Sequence, residues 1–235
     1  MSEREKGSGE LITTSQNEQA APPRDIHVAA LKLSESIGLF PELVAAGTPT
    51  PGGGSVAAQS GVLAASLGQM MCNITIGKKK FAEAETRLKE IRDELDRLCA
   101  RLRELIEEDA ASFEAVLRAY RLPKETEDQK RERAAQIETA MRGAVDIPFE
   151  TAERSFQVLK HLRELADIGN PNALSDVGVG ALLAQAAVKG ASYNVYVNLS
   201  ALSDREASDR VGQKMTSLID EARTIAEEIE GKMKT

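Results

Sequence analysis

Thr48-Pro49-Thr50-Pro51-Gly52-Gly53-Gly54-Ser55, running into Val56-Ala57-Ala58, is the stretch from which the chain is best read. Each proline fixes its own φ and restricts the residue before it, so the entry is stiff. Three glycines then permit backbone conformations closed to other residues and let another group come close. Ser55 stands where a helix N-cap belongs, just before a run of small residues. A glycine loop at a helix start offers unpaired N–H groups and the positive end of the helix dipole, which suits a carboxylate, a phosphate or a polarised oxygen. The same residues also suit a tight loop that only lets two helices pack closely, and the pattern is not that of a phosphate-binding loop.

Outward from this stretch the pattern is helical throughout. A helix from Ser55 to about Ile76 puts Val56, Leu63, Leu67, Met70 and Ile74 on one face and Ala57, Ala58, Gly61, Ala64, Ala65 and Gly68 on the others. Apolar or small all round, it is expected to be buried, with neighbours close to its backbone. Asn73 is a polar exception, and Gly77-Lys78-Lys79-Lys80 closes the helix, where cations complement the dipole. Phe81, Ala84, Leu88, Ile91, Leu95, Leu98, Leu102 and Leu105 then alternate steps of three and four in a heptad-like seam.

The next step of that seam lands on Asp109. A carboxylate on an apolar stripe is expected to be at least partly buried, which is costly unless it is paired or serves chemistry. The alternative is a seam drifting to Ala110, Phe113 and Leu117 with Asp109 at its edge. Leu122-Pro123-Lys124 breaks the helix and Thr126 caps the next, in which Pro148 is expected to kink or restart the chain. A further helix runs to about Ile168. Gly169-Asn170-Pro171-Asn172 is a stop and turn. Ser175 or Asp176 is expected to cap a second small-residue helix, to about Leu199, on which Asn194 and Asn198 share a face. Asp176 reads as dipole-stabilising capping or as a catalytic carboxylate. The last helix, about Asp204 to Lys232, carries Val211, Met215, Leu218, Ala222, Ile225 and Ile229 at the same spacing.

The fold class is therefore all-α, a helical bundle of about six to seven helices, with residues 1–24 as a polar flexible tail, a short helix over Val28 to Ile37, and 25–235 as a single domain. The three-four-spaced outer helices are expected to supply a dimer seam. The net charge of −7 argues against a general nucleic-acid binder. No apolar run is pure enough to span a membrane, and the N-terminus carries no signal pattern, so a cytoplasmic protein is expected. Cys72 and Cys99 lie on helical apolar patterns and read as buried inert thiols. His27 and His161 are isolated, so no metal site is expected, and His161 reads as a surface residue near a helix end.

Five motifs in order carry a resemblance: Pro49 to Ser55; Gly77-Lys78-Lys79-Lys80-Phe81; Leu122-Pro123-Lys124 with Arg131 and Arg133; Gly169-Asn170 with Ser175-Asp176; and Asn194-Val195 with Asn198. Over roughly residues 36–232 the chain resembles the cyclodeaminase/cyclohydrolase family. That family includes the C-terminal domain of formiminotransferase-cyclodeaminase and stand-alone bacterial methenyltetrahydrofolate cyclohydrolases. The resemblance implies an all-helical homodimer without metal or permanently bound cofactor, acting on a one-carbon tetrahydrofolate. Phe81 departs from it, because tyrosine is expected after the lysine run, and so does the long tail.

On that resemblance two reactions share one carbon. A cyclohydrolase adds water to 5,10-methenyl-tetrahydrofolate and opens it to 10-formyl-tetrahydrofolate; a cyclodeaminase closes 5-formimidoyl-tetrahydrofolate to the methenyl form and releases ammonia. Both need a proton acceptor, a proton donor and a carboxylate near a cationic amidine-like group. The expected catalytic residues are Asp109, Asp176, Lys78 and Lys79. The substrate-binding set is Pro51, Gly52, Gly53, Gly54, Ser55, Asn73, Lys80, Asn170, Asn194 and Asn198. The lysines would carry protons or pair with the folate glutamate, the glycine loop would offer N–H groups, and the asparagines would read the pterin edge. With aromatics at 3% and no Trp, stacking on the pterin is expected to be slight. The absence of a transferase segment tilts the expectation to the hydrolase. A non-catalytic helical scaffold dimer is the rival of a different class. All of this requires the polar residues to converge on one cleft.

Overall fold

The structure is a computed structural model, and it describes residues 38–233. The expected tail 1–24 and the helix over Val28 to Ile37 lie outside those residues. Six α-helices follow in order: α1 Leu39–Ala45, α2 Gly53–Thr75, α3 Glu85–Tyr120, α4 Glu127–Ile168, α5 Leu174–Leu199 and α6 Arg205–Met233. No strand occurs among the described residues. Residues from Glu42 onward form one compact unit.

Helix α2 is the axis of the bundle and touches α3, α4 and α5, while α6 closes over α4 and α5. The small residues of α2 are small because other helices press on its backbone. A Cβ on Gly61 would lie 2.6 Å from the Ser155 hydroxyl, and one on Gly68 would lie 2.7 Å from a Leu95 methyl. The α3 seam from Leu88 to Leu105 is buried, and each leucine so buried contributes about 1.5–3 kcal/mol. Helices α2 and α5 run antiparallel: Gly180 packs at the Ala64 carbonyl, Gly190 at Ala57 and Asn194 at Gly53.

Several local expectations are corrected. Helix α2 is not buried all round. Its small face packs inward, while Val56 (38% exposed) and Leu63 (43%) point out. The three-four seams of α3 and α6 are used up inside the protomer, so the unpartnered apolar stripes lie on α2 and α5 instead. Pro148 neither breaks nor restarts the chain. It is buried inside the continuous 42-residue α4, and the Ala144 carbonyl, four residues earlier and deprived of its helical N–H, accepts the Asn198 amide at 2.8 Å instead. Phe81 falls in a 3-10 segment, Lys79–Ala84, ahead of α3.

Ser55 is not an N-cap. The cap is Gly52, whose extended backbone has no side chain to offer. Neither Ser175 nor Asp176 caps α5; its cap is Ala173, preceded by a 3-10 turn that the Asn170 side chain closes by accepting the Asn172 N–H at 3.2 Å. His161 lies well inside α4, half-buried 3.1 Å from Glu94. The Thr126 cap stands, completed by Gln129 into a reciprocal capping box. Both cysteines are buried, and burial pushes the Cys72 thiol up to about 12.

Candidate active site

The start of α2 is capped from another helix. Asp109 of α3 accepts two hydrogen bonds on its Oδ2, from the Ser55 N–H at 2.8 Å and from the Ser55 hydroxyl at 2.9 Å. That hydroxyl also reaches the Ile106 carbonyl at 3.1 Å. It has one proton and two acceptors within reach, so it donates to one of them at a time. Ser55 fills the role expected of a cap with the donor and acceptor reversed. Its hydroxyl and its N–H serve the carboxylate rather than its side chain serving the helix.

Gly54 makes this contact possible. A Cβ there would fall 2.0 Å from Asp109 Oδ1, far inside van der Waals contact, so no other residue lets α3 bring its carboxylate this close. Oδ1 receives no hydrogen bond from the described residues. Burial raises the Asp109 pKa above the ordinary carboxylate range, and the two bonds from Ser55 hold the rise in check. The group is thus moved toward the range in which it can exchange protons.

Around it lies a cleft of about 230 Å³ lined by Pro49, Thr50, Gly52 to Gly54, Asp109, Ser112, Phe113, Val116, Ala144, Asn194 and Asn198. Asn194 donates its amide N–H to the Gly190 carbonyl at 3.2 Å, and Asn198 donates to the Ala144 carbonyl at 2.8 Å. A carbonyl can only accept, so these bonds fix both amides and leave each Oδ1 as an acceptor. The Gly53 and Gly54 N–H groups have no partner among the described residues and complement these acceptors with donors.

The other expected residues stand elsewhere in the protomer. Asn170 gives its N–H to the Thr75 hydroxyl at 3.1 Å, at the far end of α2. The 20 residues from Ser55 to Thr75 span about 30 Å of helix. Lys78, Lys79 and Lys80 follow that end, exposed, just after Gly77, whose φ of +81° is the left-handed conformation glycine favours. Asn73 is exposed on the last turn of α2. Asp176, half-buried in the first turn of α5, is 18 residues and about 27 Å of helix from Asn194. Pro51 joins its loop by a cis peptide bond and does not line the cleft. Within one protomer the expected set therefore divides between two ends of the bundle.

Sequence reasoning missed Ser112 and Phe113 as cleft residues. They lie three and four positions after Asp109, so helical spacing placed them on its face. Phe113 is 42% exposed and gives the cleft the aromatic surface that composition argued against.

The model of one family, described as formiminotransferase-cyclodeaminase, matches residues 36–217. The chain belongs to the formiminotransferase-cyclodeaminase family. A methenyltetrahydrofolate cyclohydrolase of Methylorubrum extorquens is 39% identical over 196 residues, which cover 83% of this chain and 94% of that protein. The formimidoyltransferase-cyclodeaminase of Mus musculus is 34% identical over 194 residues, 83% of this chain but 36% of the mouse protein. The crystal structure of formiminotetrahydrofolate cyclodeaminase from Thermotoga maritima superposes with a TM-score of 0.72 at 28% identity, covering 87% of this chain and 98% of that one. The family match spans both ends of α2, so the Asp109 cleft and the lysine end fall within the matched region.

Proposed function

We propose that the chain is a methenyltetrahydrofolate cyclohydrolase, opening 5,10-methenyl-tetrahydrofolate with water to 10-formyl-tetrahydrofolate, with Asp109 as the proton carrier. The observation that carries this is a carboxylate raised in pKa by burial, with one oxygen held by Ser55 and the other left toward a small cleft. The cyclohydrolase relative, matched over nearly its whole length, supports the choice of reaction.

The methenyl carbon carries positive charge shared with N5 and N10. Asp109 steadies that charge and accepts a proton as water attacks the carbon. The tetrahedral carbinol then loses its C–N5 bond. Asp109 returns its proton to N5, the carbinol hydroxyl proton goes to solvent, and the carbonyl of the 10-formyl group forms. One proton is released overall and Asp109 ends ionised. Asn194 and Asn198 offer acceptors for the N–H edge of the pterin, the Gly53 and Gly54 N–H groups offer donors for its oxygen, and Phe113 offers a face for stacking. The substrate is a folate, and no permanently bound cofactor enters this scheme.

The structural neighbour favours a second reading, formimidoyl-tetrahydrofolate cyclodeaminase. In that case the formimidoyl group enters protonated, Asp109 takes the N10 proton as N10 attacks the formimidoyl carbon and passes it to the departing nitrogen, and ammonia leaves as the methenyl cation forms. An absorbance assay with each substrate separates the two. The methenyl chromophore is lost on turnover by a cyclohydrolase and appears from formimidoyl-tetrahydrofolate on turnover by a cyclodeaminase. No turnover of either substrate refutes the proposal. Two buried free thiols and the absence, among the described residues, of a helix apolar enough to cross a membrane agree with a cytoplasmic site of action.

A further inference from the structure

We infer that Pro148, which does not itself line the cleft, is a positioning residue for substrate recognition: it frees the Ala144 carbonyl, and that carbonyl holds the Asn198 amide so that its oxygen is left for the substrate. What the cleft binds rests on the folate reading above.

Three observations carry the inference. First, an α-helix pairs each carbonyl with the N–H four residues on, and a proline has no N–H to give. In the unbroken α4 the carbonyl so released belongs to Ala144, a buried residue that lines the cleft. The proline ring also crowds the carbonyl four residues before it and pushes it outward from the helix. A buried carbonyl released in this way needs a donor from elsewhere. The donor is the Asn198 amide of α5, at 2.8 Å and 54 residues away in sequence.

Second, this bond decides which end of the Asn198 amide a ligand meets. The two ends of an asparagine amide have nearly the same shape and opposite hydrogen-bonding character. A carbonyl only accepts, so it takes the NH2 end and leaves Oδ1 as an acceptor.

Third, the other polar side chains on this wall are anchored locally. Asn194 gives its amide to the Gly190 carbonyl at 3.2 Å, four residues back in its own helix. Ser112 gives its hydroxyl proton to the Asp109 main-chain carbonyl at 2.8 Å, three residues back. Asn198 depends on α4, and the α4 carbonyl it uses is open because residue 148 is proline. A residue with an N–H at 148 would return that carbonyl to its helix. The Asn198 amide could then turn over and set a donor against the N–H edge of the substrate.

The test replaces Pro148 by valine, which carries the N–H, keeps most of the buried apolar volume and costs little in a helix, and by alanine. KM for methenyl-tetrahydrofolate should rise about two- to tenfold with kcat nearly unchanged, as for the loss of one substrate hydrogen bond. In an Asn198→Ala background Pro148→Val should leave KM where it was, and in an Asn194→Ala background it should keep its full effect. A wild-type KM in both Pro148 variants, or an equal rise in the two asparagine backgrounds, overturns the inference. A second readout needs no substrate. Nitrogen-15 labelling of the side-chain amides of the six asparagines gives one pair of N–H resonances for each, and Asn198→Ala and Asn194→Ala identify their own pairs. In Pro148→Val and Pro148→Ala the Asn198 pair should shift and exchange faster with solvent, while the Asn194 pair stays in place. An Asn198 pair that stays in place overturns the inference. A shifted pair in a protein that turns over neither folate refutes the folate reading alone, and folate turnover with neither the shift nor the KM rise refutes the positioning role alone.

Discussion

The two ends of α2 carry the same kinds of residues to different effect. At its start, Asp109 holds Ser55 behind a glycine loop, and two asparagines, each tied to a backbone carbonyl, line the same cleft. At its finish, a glycine, three lysines, an asparagine and a carboxylate sit apart, most of them exposed. The difference is burial. Asp109 is taken out of water by α2 and held by Ser55, so its proton affinity changes. The lysines remain in solvent. Polar motifs in one sequence thus separate into a buried, hydrogen-bonded end and an exposed end.

The largest effect is expected at the start of α2. Asp109→Asn keeps the shape and should cut kcat by about 10²–10⁴-fold, the usual worth of a positioned general acid or base. Gly54→Ala should come next. Its methyl group would displace the Asp109 carboxylate, lowering kcat by about 10–100-fold and the unfolding free energy by about 1–3 kcal/mol, read by steady-state kinetics and urea titration. Asn198→Ala removes an acceptor for the substrate and leaves the Ala144 carbonyl unpaired; KM should rise about tenfold, in line with about 1.4 kcal/mol for one hydrogen bond. At the other end, Lys78→Ala with Lys79→Ala should raise KM several-fold, about as much as a few exposed charge pairs supply, with kcat nearly unchanged and the effect fading at high salt. A kcat loss at the lysine end equal to that of Asp109→Asn would erase the contrast between the ends.

Stability should show the same asymmetry. The folded-state pKa of Asp109 lies above its unfolded value. The native protein therefore keeps a proton in the window just above the ordinary Asp range, where the unfolded chain has released it. Stability is lost as pH rises through that window. Asp109→Asn has no such loss, so the variant should gain stability relative to wild type as pH rises through the window and keep the gain above it. Paired thermal melts across that pH range measure this.

The helices were legible because three-four spacing is local: the α3 and α6 seams, the Thr126 cap and the stop at Gly169 all stand as read. Asp109 was legible for the same reason, as a charge on an apolar stripe. What could not be read were relations between helices. Ser55 looked like a cap because its partner lies 54 residues away. Pro148 looked like a kink or restart because the partner of the carbonyl it leaves open, Asn198, lies on another helix. The outward face of α2 looked buried because apolar character does not reveal whether the protomer itself covers a face. The division of the site into two ends follows from the straight run of α2, which no residue type records.

The pH dependence of kcat/KM for methenyl-tetrahydrofolate, in wild type and in Asp109→Asn, tests the role of the carboxylate most directly. Wild type should rise with pH through a single apparent pKa above the ordinary Asp range, as Asp109 gives up its proton, and the variant should be slow with that limb gone. A variant that keeps both the limb and a near-native rate would show that the proton is carried elsewhere.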